Sequence, residues 1–467
     1  MTDRRSFLKS LGIGVVAGAV GVESKKANAA TYRVVVVGGG FAGATVAKYL
    51  KLWGGSAINV TLVDKATTYK SPILSNLVLN NQKTMENLSF SLSSIATKNN
   101  FTYLQGELTG LASTIPAGYN GRALVKKSSG SFHTSSETRL YFHKLVVAPG
   151  VDFDYSNLAS LVAANGTASD LKSPIPHAWK SGDQVLNLKA QIDNMLNVGG
   201  DFILSIPKSP YRCPPGPYER ACVVADYIRS KQKSNKVIVL DSNVPTDLSD
   251  PYTAIQAEQH TFKTAFTGQF ANIVKYYSAA NVDSVSNSGG QFGTKSITVN
   301  FNDGIGPQTT YTGRVLNVLP PMKAGNIAST LGLLGSGKFV PVDLLSYKSQ
   351  ANSNIHVIGD AHDSTQPKAG HIGNSEAKIC AEAILRELGI IDSSVQYHAP
   401  VTNSSCYSPI TSSTASWLTA GYRYDPSQPI NKQMVRVPES FAEASSVSSD
   451  NYKMMLAWAT NLFADVF

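Results

Sequence analysis

Apolar residues in this chain gather in short unbroken runs, spaced by stretches of helical periodicity and polar loops. Val34 to Val37 is four β-branched residues without a polar interruption, which predicts a strand buried on both faces. Similar runs at Asn59–Val63, Lys144–Ala148, Phe202–Ile206, Lys236–Leu240 and Ile355–Ile358 predict further strands. Helices are expected at Ala44–Leu50, Ala221–Ser230 and Ile379–Leu385. Strand and helix alternate, so the expected class is α/β with parallel sheets. Polar tracts at 112–136 and 284–293 read as surface loops and hairpins. Beyond residue 392 the chain is rich in Ser, Thr and Pro. It ends in a stripe at helical spacing, Tyr452, Met455, Trp458, Leu462 and Phe463, which reads as core packing.

Two of these strands lead into turns that carry chemistry. After Val37 comes Gly38-Gly39-Gly40-Phe41-Ala42-Gly43, which fits G-x-G-x-x-G at a strand–helix junction. Such glycines bring a pyrophosphate against the backbone at a helix N-terminus. The next strand closes on Asp64-Lys65, with Asp64 standing 21 residues past Gly43, where a carboxylate would hold ribose hydroxyls. The expected nucleotide contacts are Gly38, Gly40, Phe41, Ala42, Gly43, Asp64 and Lys65. The strand ending in Ala148-Pro149-Gly150 and the strand closing on Gly359-Asp360 are features shared with two-dinucleotide flavoproteins. That likeness implies FAD, and adds Gly150, Gly359 and Asp360 to its contacts.

The second turn departs from the pattern. Phe202–Ile206 leads not to glycines but to Tyr211-Arg212-Cys213-Pro214-Pro215-Gly216-Pro217-Tyr218-Glu219-Arg220-Ala221. Prolines there predict that NAD(P)H docking is blocked. A thiol and a carboxylate, Cys213 and Glu219, stand in its place. Of the other cysteines, Cys222 and Cys380 lie in helix-like apolar runs and read as small core residues, whereas Cys406 is expected in a serine-rich loop. Counting alone leaves any pairing open. No spacing of Cys or His fits a metal site, and no C-x-x-C-H is present for haem, so a haem would sit on another chain.

The first 29 residues carry Arg4-Arg5-Ser6-Phe7-Leu8-Lys9, an apolar stretch from Leu11 to Val22, and Ala27-Asn28-Ala29. This is the pattern of a twin-arginine export signal, which predicts a periplasmic protein exported folded. The net charge of +9 includes five Lys/Arg and two acids within that segment, leaving +6 without it. No basic run interleaved with aromatics suggests nucleic acid, and no stretch predicts an integral membrane segment.

Taken with Pro176-His177-Ala178-Trp179-Lys180, Leu319-Pro320-Pro321, Pro341-Val342-Asp343, Pro367-Lys368-Ala369-Gly370 and Asn374-Ser375, the Arg212–Ala221 block resembles the flavoprotein subunit of flavocytochrome c sulfide dehydrogenase. That family is related to sulfide:quinone oxidoreductases. The resemblance implies two Rossmann-like dinucleotide-binding domains of the disulfide-reductase (glutathione-reductase-like) type plus a small C-terminal domain. The FAD domain would span 31–152 and 320–391, the second domain 153–319, and the C-terminal domain 392–467. It also implies that Cys213 and Cys406, the latter in Cys406-Tyr407-Ser408, form a redox-active disulfide beside FAD, with Glu219 as the active-site acid. His177 and His371 read as ordinary polar loop residues. The family's flavin-linking cysteine falls on Pro72, which cannot form a thioether, so FAD is expected to be non-covalent. The implied activity is sulfide oxidation through FAD to a c-type cytochrome subunit or a soluble cytochrome c. Two other readings stand beside it: a sulfide:quinone or polysulfide oxidoreductase, and a non-catalytic flavoprotein partner of a sulfur-oxidising complex.

Overall fold

The structure is a computed structural model, described here for residues 31–127, 137–301 and 306–467. The export-signal expectation, on residues 1–29, lies outside the described residues.

The N-terminal sheet is built on strands β1 (Tyr32–Val37), β2 (Ile58–Asp64), β3 (Thr102–Leu111), β4 (Gly121–Lys127), β5 (Glu137–Phe142) and β6 (Lys144–Val147). β1 runs parallel between β2 and β6, with Val34 opposite Val60 and Lys144. β6 in turn pairs in parallel with a strand from far along the chain, Ile355–Val357, Leu145 facing Ile355. Val34 to Val37 are buried, as an unbroken β-branched run should be when both faces are covered. One cover is α1 (Phe41–Gly54), which packs on a late helix, Gly370–Glu387. The two helices approach through small residues: a Cβ at Gly373 would lie 3.2 Å from that of Ala42.

The second unit is a parallel sheet in the order β9-β8-β7-β10, from β7 (Phe202–Ile206), β8 (Val237–Asp241), β9 (Val274–Tyr277) and β10 (Val315–Val318). Helices α2 (Asp183–Val198), α3 (Gly216–Ser230) and α4 (Gln259–Thr267) belong to it. The sequence placed the start of α3 at Ala221, but Pro215 and Gly216 open it, with proline in the first turn, where its missing N–H costs nothing. The chain then returns to the first sheet through β11 (Ile355–Val357) and α5 (Gly370–Glu387).

The tail forms an antiparallel sheet around β12 (Val401–Pro409), β13 (Ala415–Tyr424) and β14 (Met434–Arg436), followed by α6 (Ser449–Val466). Cys406 therefore stands in a strand, opposite Leu418, rather than in the expected loop. Serines at Ser404, Cys406's neighbours in alternation, and Ser408 are buried because this strand lies against the rest of the protein, not against solvent. Along α6, Met455 and Ala459 are buried, and the chain's last residues reach the first core: Val466 is buried, and Phe467 stacks on Phe90 at 4.3 Å.

Candidate functional site

The glycine turn after β1 is a cradle that side chains could not occupy. Gly38 has φ +101°, and a Cβ there would meet the Ala148 carbonyl oxygen at 2.2 Å. At Gly43 a Cβ would lie 1.7 Å from the Gly38 oxygen. Gly40 caps α1 without a side-chain hydrogen bond, leaving the first amides of the helix to face whatever binds there. Phe41 and Ala42 form the first turn. Asp64, at the end of β2, accepts from the Gly39 N–H at 2.6 Å. Gly359, at φ +72°, comes within 3.0 Å of the Ala42 Cβ by the same test and brings Asp360 to the mouth of the turn. Gly150 follows β6 at φ +67°, and its carbonyl accepts from Gly325. Lys65 differs: its side chain is exposed and pairs with Glu107 at 3.9 Å.

The second turn is filled rather than open. Asp241, at the end of β8, is the counterpart of Asp64, yet it is fully buried and its oxygens are taken. Oδ2 accepts from the hydroxyls of Tyr218 at 2.7 Å and Tyr276 at 2.8 Å, and Oδ1 accepts from Asn243. Burial pushes its carboxyl up to about 6, against the pull of those donors. Tyr211 and Tyr218, both buried, occupy the space beside it. A ribose would have to displace this cage to reach the carboxylate.

Cys213 lies on the turn at φ +59°, the left-handed region that favours glycine. Its N–H donates to the Lys368 carbonyl at 2.9 Å, and its carbonyl accepts from Gly216 at 2.9 Å. A Cβ at Gly216 would lie 2.9 Å from the Cys213 sulfur, which is why glycine is needed there. Trp179 Nε1 donates to the Arg212 carbonyl at 3.0 Å and holds the turn from the other side. Burial pushes the Cys406 thiol well up, and Cys213 lies close enough to add to the rise. Burial raises the Cys213 thiol to about 12, with nearby Glu219 adding to the rise and Arg212 opposing it. Cys222 and Cys380 are wholly buried in helices, as core residues.

Glu219 lies in the first turn of α3 and is buried. Desolvation raises its carboxyl to about 7, while the Asn76 amide donates to it at 2.9 Å and Arg220 favours its charge. Arg220 is buried and bonded through each of its nitrogens: Nε donates to Asn76 Oδ1, Nη1 to Asn317 Oδ1 and the His177 carbonyl, and Nη2 to the Ala178 carbonyl. It also lies over the Trp179 ring at 4.8 Å. One guanidinium thus gathers the Pro176–Trp179 and Leu74–Asn76 segments around the Cys213 turn. His177 is packed on Phe153 and held well below its usual range, to about 3, chiefly by burial. His371 lies in the first turn of α5 rather than in a loop, against Ser404 and Trp458.

Residues 185–320 match the family described as the central part of the sulfide dehydrogenase (flavocytochrome c) flavoprotein chain. Over 48 residues the chain is 54% identical to the sulfide dehydrogenase (flavocytochrome c) flavoprotein chain of Chlorobaculum thiosulfatiphilum, a match covering 10% of this chain and 98% of that relative. The chain belongs to this flavoprotein family. Residues 32–193 match the pyridine nucleotide-disulphide oxidoreductases. Among solved structures, the sulfide:quinone oxidoreductase of Aquifex aeolicus superposes with a TM-score of 0.69 at 13% identity, covering 93% of this chain and 91% of that one. An NAD-dependent persulfide reductase from A. fulgidus gives 0.52 at 14%, covering 93% and 77%. Both share the α/β fold of this family member.

FAD fits the first turn: its cradle admits only glycine at Gly38 and Gly43, the α1 amides suit a pyrophosphate, and Asp64 suits a ribose. Sequence reasoning missed the Arg220–Asn76 junction, the Asp241 cage and a further buried acid, Glu258. The first and third depend on partners far apart in the chain, and the cage on tyrosines brought in from the neighbouring helix and strand. Only the Tyr218–Glu219–Arg220 spacing hinted at the first two, because a helix start that carries both an acid and an arginine needs partners if buried.

Proposed function

We propose that this protein is a periplasmic, FAD-dependent sulfide dehydrogenase that works through a Cys213–Cys406 disulfide and delivers electrons to a c-type cytochrome. The observation that carries the reading is the pair of neighbouring, half-buried sulfurs at a turn closed to nicotinamide, with an acid poised near neutrality beside it. The substrate class comes from the family. The twin-arginine pattern supports export, and among the described residues no helix is long and apolar enough to cross a membrane.

Hydrosulfide attacks one sulfur of the disulfide, the S–S bond breaks, and the other cysteine leaves as a thiolate, giving a cysteine persulfide. Arg212 lies where its charge favours the Cys213 thiolate, and burial works against any thiolate that lingers. FAD, when bound, supplies the acceptor for the two electrons taken from sulfide. Glu219, with a carboxyl near 7, accepts or returns the proton that travels with them. The Asp241 cage keeps a nicotinamide from competing for the same face. FAD is held without a covalent bond, because Pro72 offers no sulfur.

Anaerobic titration of the purified FAD-loaded protein with sulfide tests this. Bleaching of the flavin band, lost in Cys213→Ser and in Cys406→Ser, is expected. A flavin that sulfide leaves oxidised but dithionite reduces would sink the reading.

A further inference from the structure

Glu258 is a second buried acid at the dithiol, on an element that no motif marks. It is 1% exposed and precedes α4 with φ +52° and ψ +43°. A non-glycine residue in that region is strained and is kept where the surroundings demand it. At a helix start, a glutamate would ordinarily serve the free amides. Glu258 makes no such cap; Glu443 accepts from the Thr261 N–H at 2.9 Å instead. The Glu258 side chain turns to the cysteine strand, where Oε2 accepts from the Ser408 hydroxyl. Ser408 lies two residues beyond Cys406 on β12, hence on the same face. The other oxygen, Oε1, is buried, with Ser416 near enough to favour the charged form. A carboxyl buried this completely is costly as a carboxylate and well suited to carry a proton.

We propose that Glu258 is the proton donor to Cys406, as Glu219 is the acid beside Cys213. The proposal rests on the sulfide reading above. Hydrosulfide attacks the Cys213 sulfur and the S–S bond breaks. Its electron pair leaves on the Cys406 sulfur, which takes the proton of the Glu258 carboxyl. The products are a Cys213 persulfide, a Cys406 thiol and a Glu258 carboxylate, so atoms and charge balance. Burial raises the Glu258 carboxyl to about 8, with Glu443 and Glu219 adding to the rise and Ser408 and Ser416 opposing it. The ionisable groups near enough to interact with it are those two acids, Cys213, Cys406, and Cys222 of α3.

The test is iodoacetamide alkylation of the reduced, FAD-loaded full chain between pH 7 and 10, with Cys406 followed by peptide mass. At pH 9 Glu258 is a carboxylate that opposes the Cys406 thiolate. Glu258→Gln removes that charge, and Cys406 is expected to react on the order of tenfold faster, the effect of one pK unit. Ser408→Ala removes the donor to Oε2, and the step in the Cys406 profile is expected to move to higher pH. In sulfide-driven bleaching, the limb near pH 8 is expected to vanish in Glu258→Gln and persist in Glu219→Gln. An unchanged Cys406 profile in both Glu258→Gln and Ser408→Ala overturns the proposal. If sulfide fails to bleach the unsubstituted protein, the sulfide reading fails, and the alkylation profile still decides whether Glu258 governs Cys406.

Discussion

Glu219→Gln tests whether the acid beside Cys213 keeps its proton in the folded protein. The glutamine is isosteric, is neutral at every pH, and retains an oxygen for the Asn76 amide. The folded-state carboxyl is raised from 4.5 to about 7. Between those values the folded protein binds a proton that the unfolded chain releases, so stability falls as pH rises. The contribution is present in full below about pH 4.5 and is lost by about pH 7. With about 1.4 kcal/mol per unit, the loss amounts to roughly 3 kcal/mol. Glutamine escapes it. Glu219→Gln should therefore match the parent near pH 4, exceed it by about 1 kcal/mol at pH 5, and exceed it by about 3 kcal/mol at pH 8. For a chain of this size that is about 3 °C in thermal midpoint, given the usual unfolding entropy per residue. Thermal melts followed by circular dichroism at pH 5, 6, 7 and 8 measure the difference directly. A midpoint difference that stays constant across this range would refute the raised carboxyl, and with it the proton-transfer role of Glu219.

Three further outcomes are expected. Gly43→Ala places a methyl 1.7 Å from the Gly38 carbonyl oxygen, so the purified protein should lose its flavin absorbance; full FAD occupancy would contradict the cradle. Arg220→Lys gives up the planar fork that reaches Asn317, His177 and Ala178 at once, and should cost about 3 kcal/mol, read as a lowered thermal midpoint; an unchanged midpoint would show that the junction does not hold the segments together. Acid precipitation of the holoprotein should leave all the flavin in the supernatant, because Pro72 stands at the linking position; yellow colour retained in the pellet would disprove non-covalent attachment.

Much of the scaffold was legible from local pattern. The run Val34–Val37 could be little else than a buried strand, and the glycines after it had to serve a close approach of backbone to ligand. Phe202–Ile206 appears as a strand with those bounds. Boundaries were less legible: Pro215 and Gly216 look like breakers, yet they open α3, because a proline in the first helical turn forfeits no hydrogen bond. Cys406 was placed in a loop because serines surround it. It lies in a strand because that serine-rich segment is buried against α3 and α5 rather than facing water.

What the sequence by itself determined is what depends on neighbours along the chain: the strand–glycine–helix turn, the replacement of its second copy by a cysteine and prolines, and the absence of a sulfur at Pro72. The chemistry of the site was decided by contacts between residues more than a hundred positions apart. Asn76 reaches Glu219 and Arg220, and Ser408 reaches Glu258, 150 residues away. Desolvation sets the charge of these acids, and it depends on how completely distant segments close over them. No spacing within the sequence encodes that closure. It appears only when three sheets and their helices are packed together.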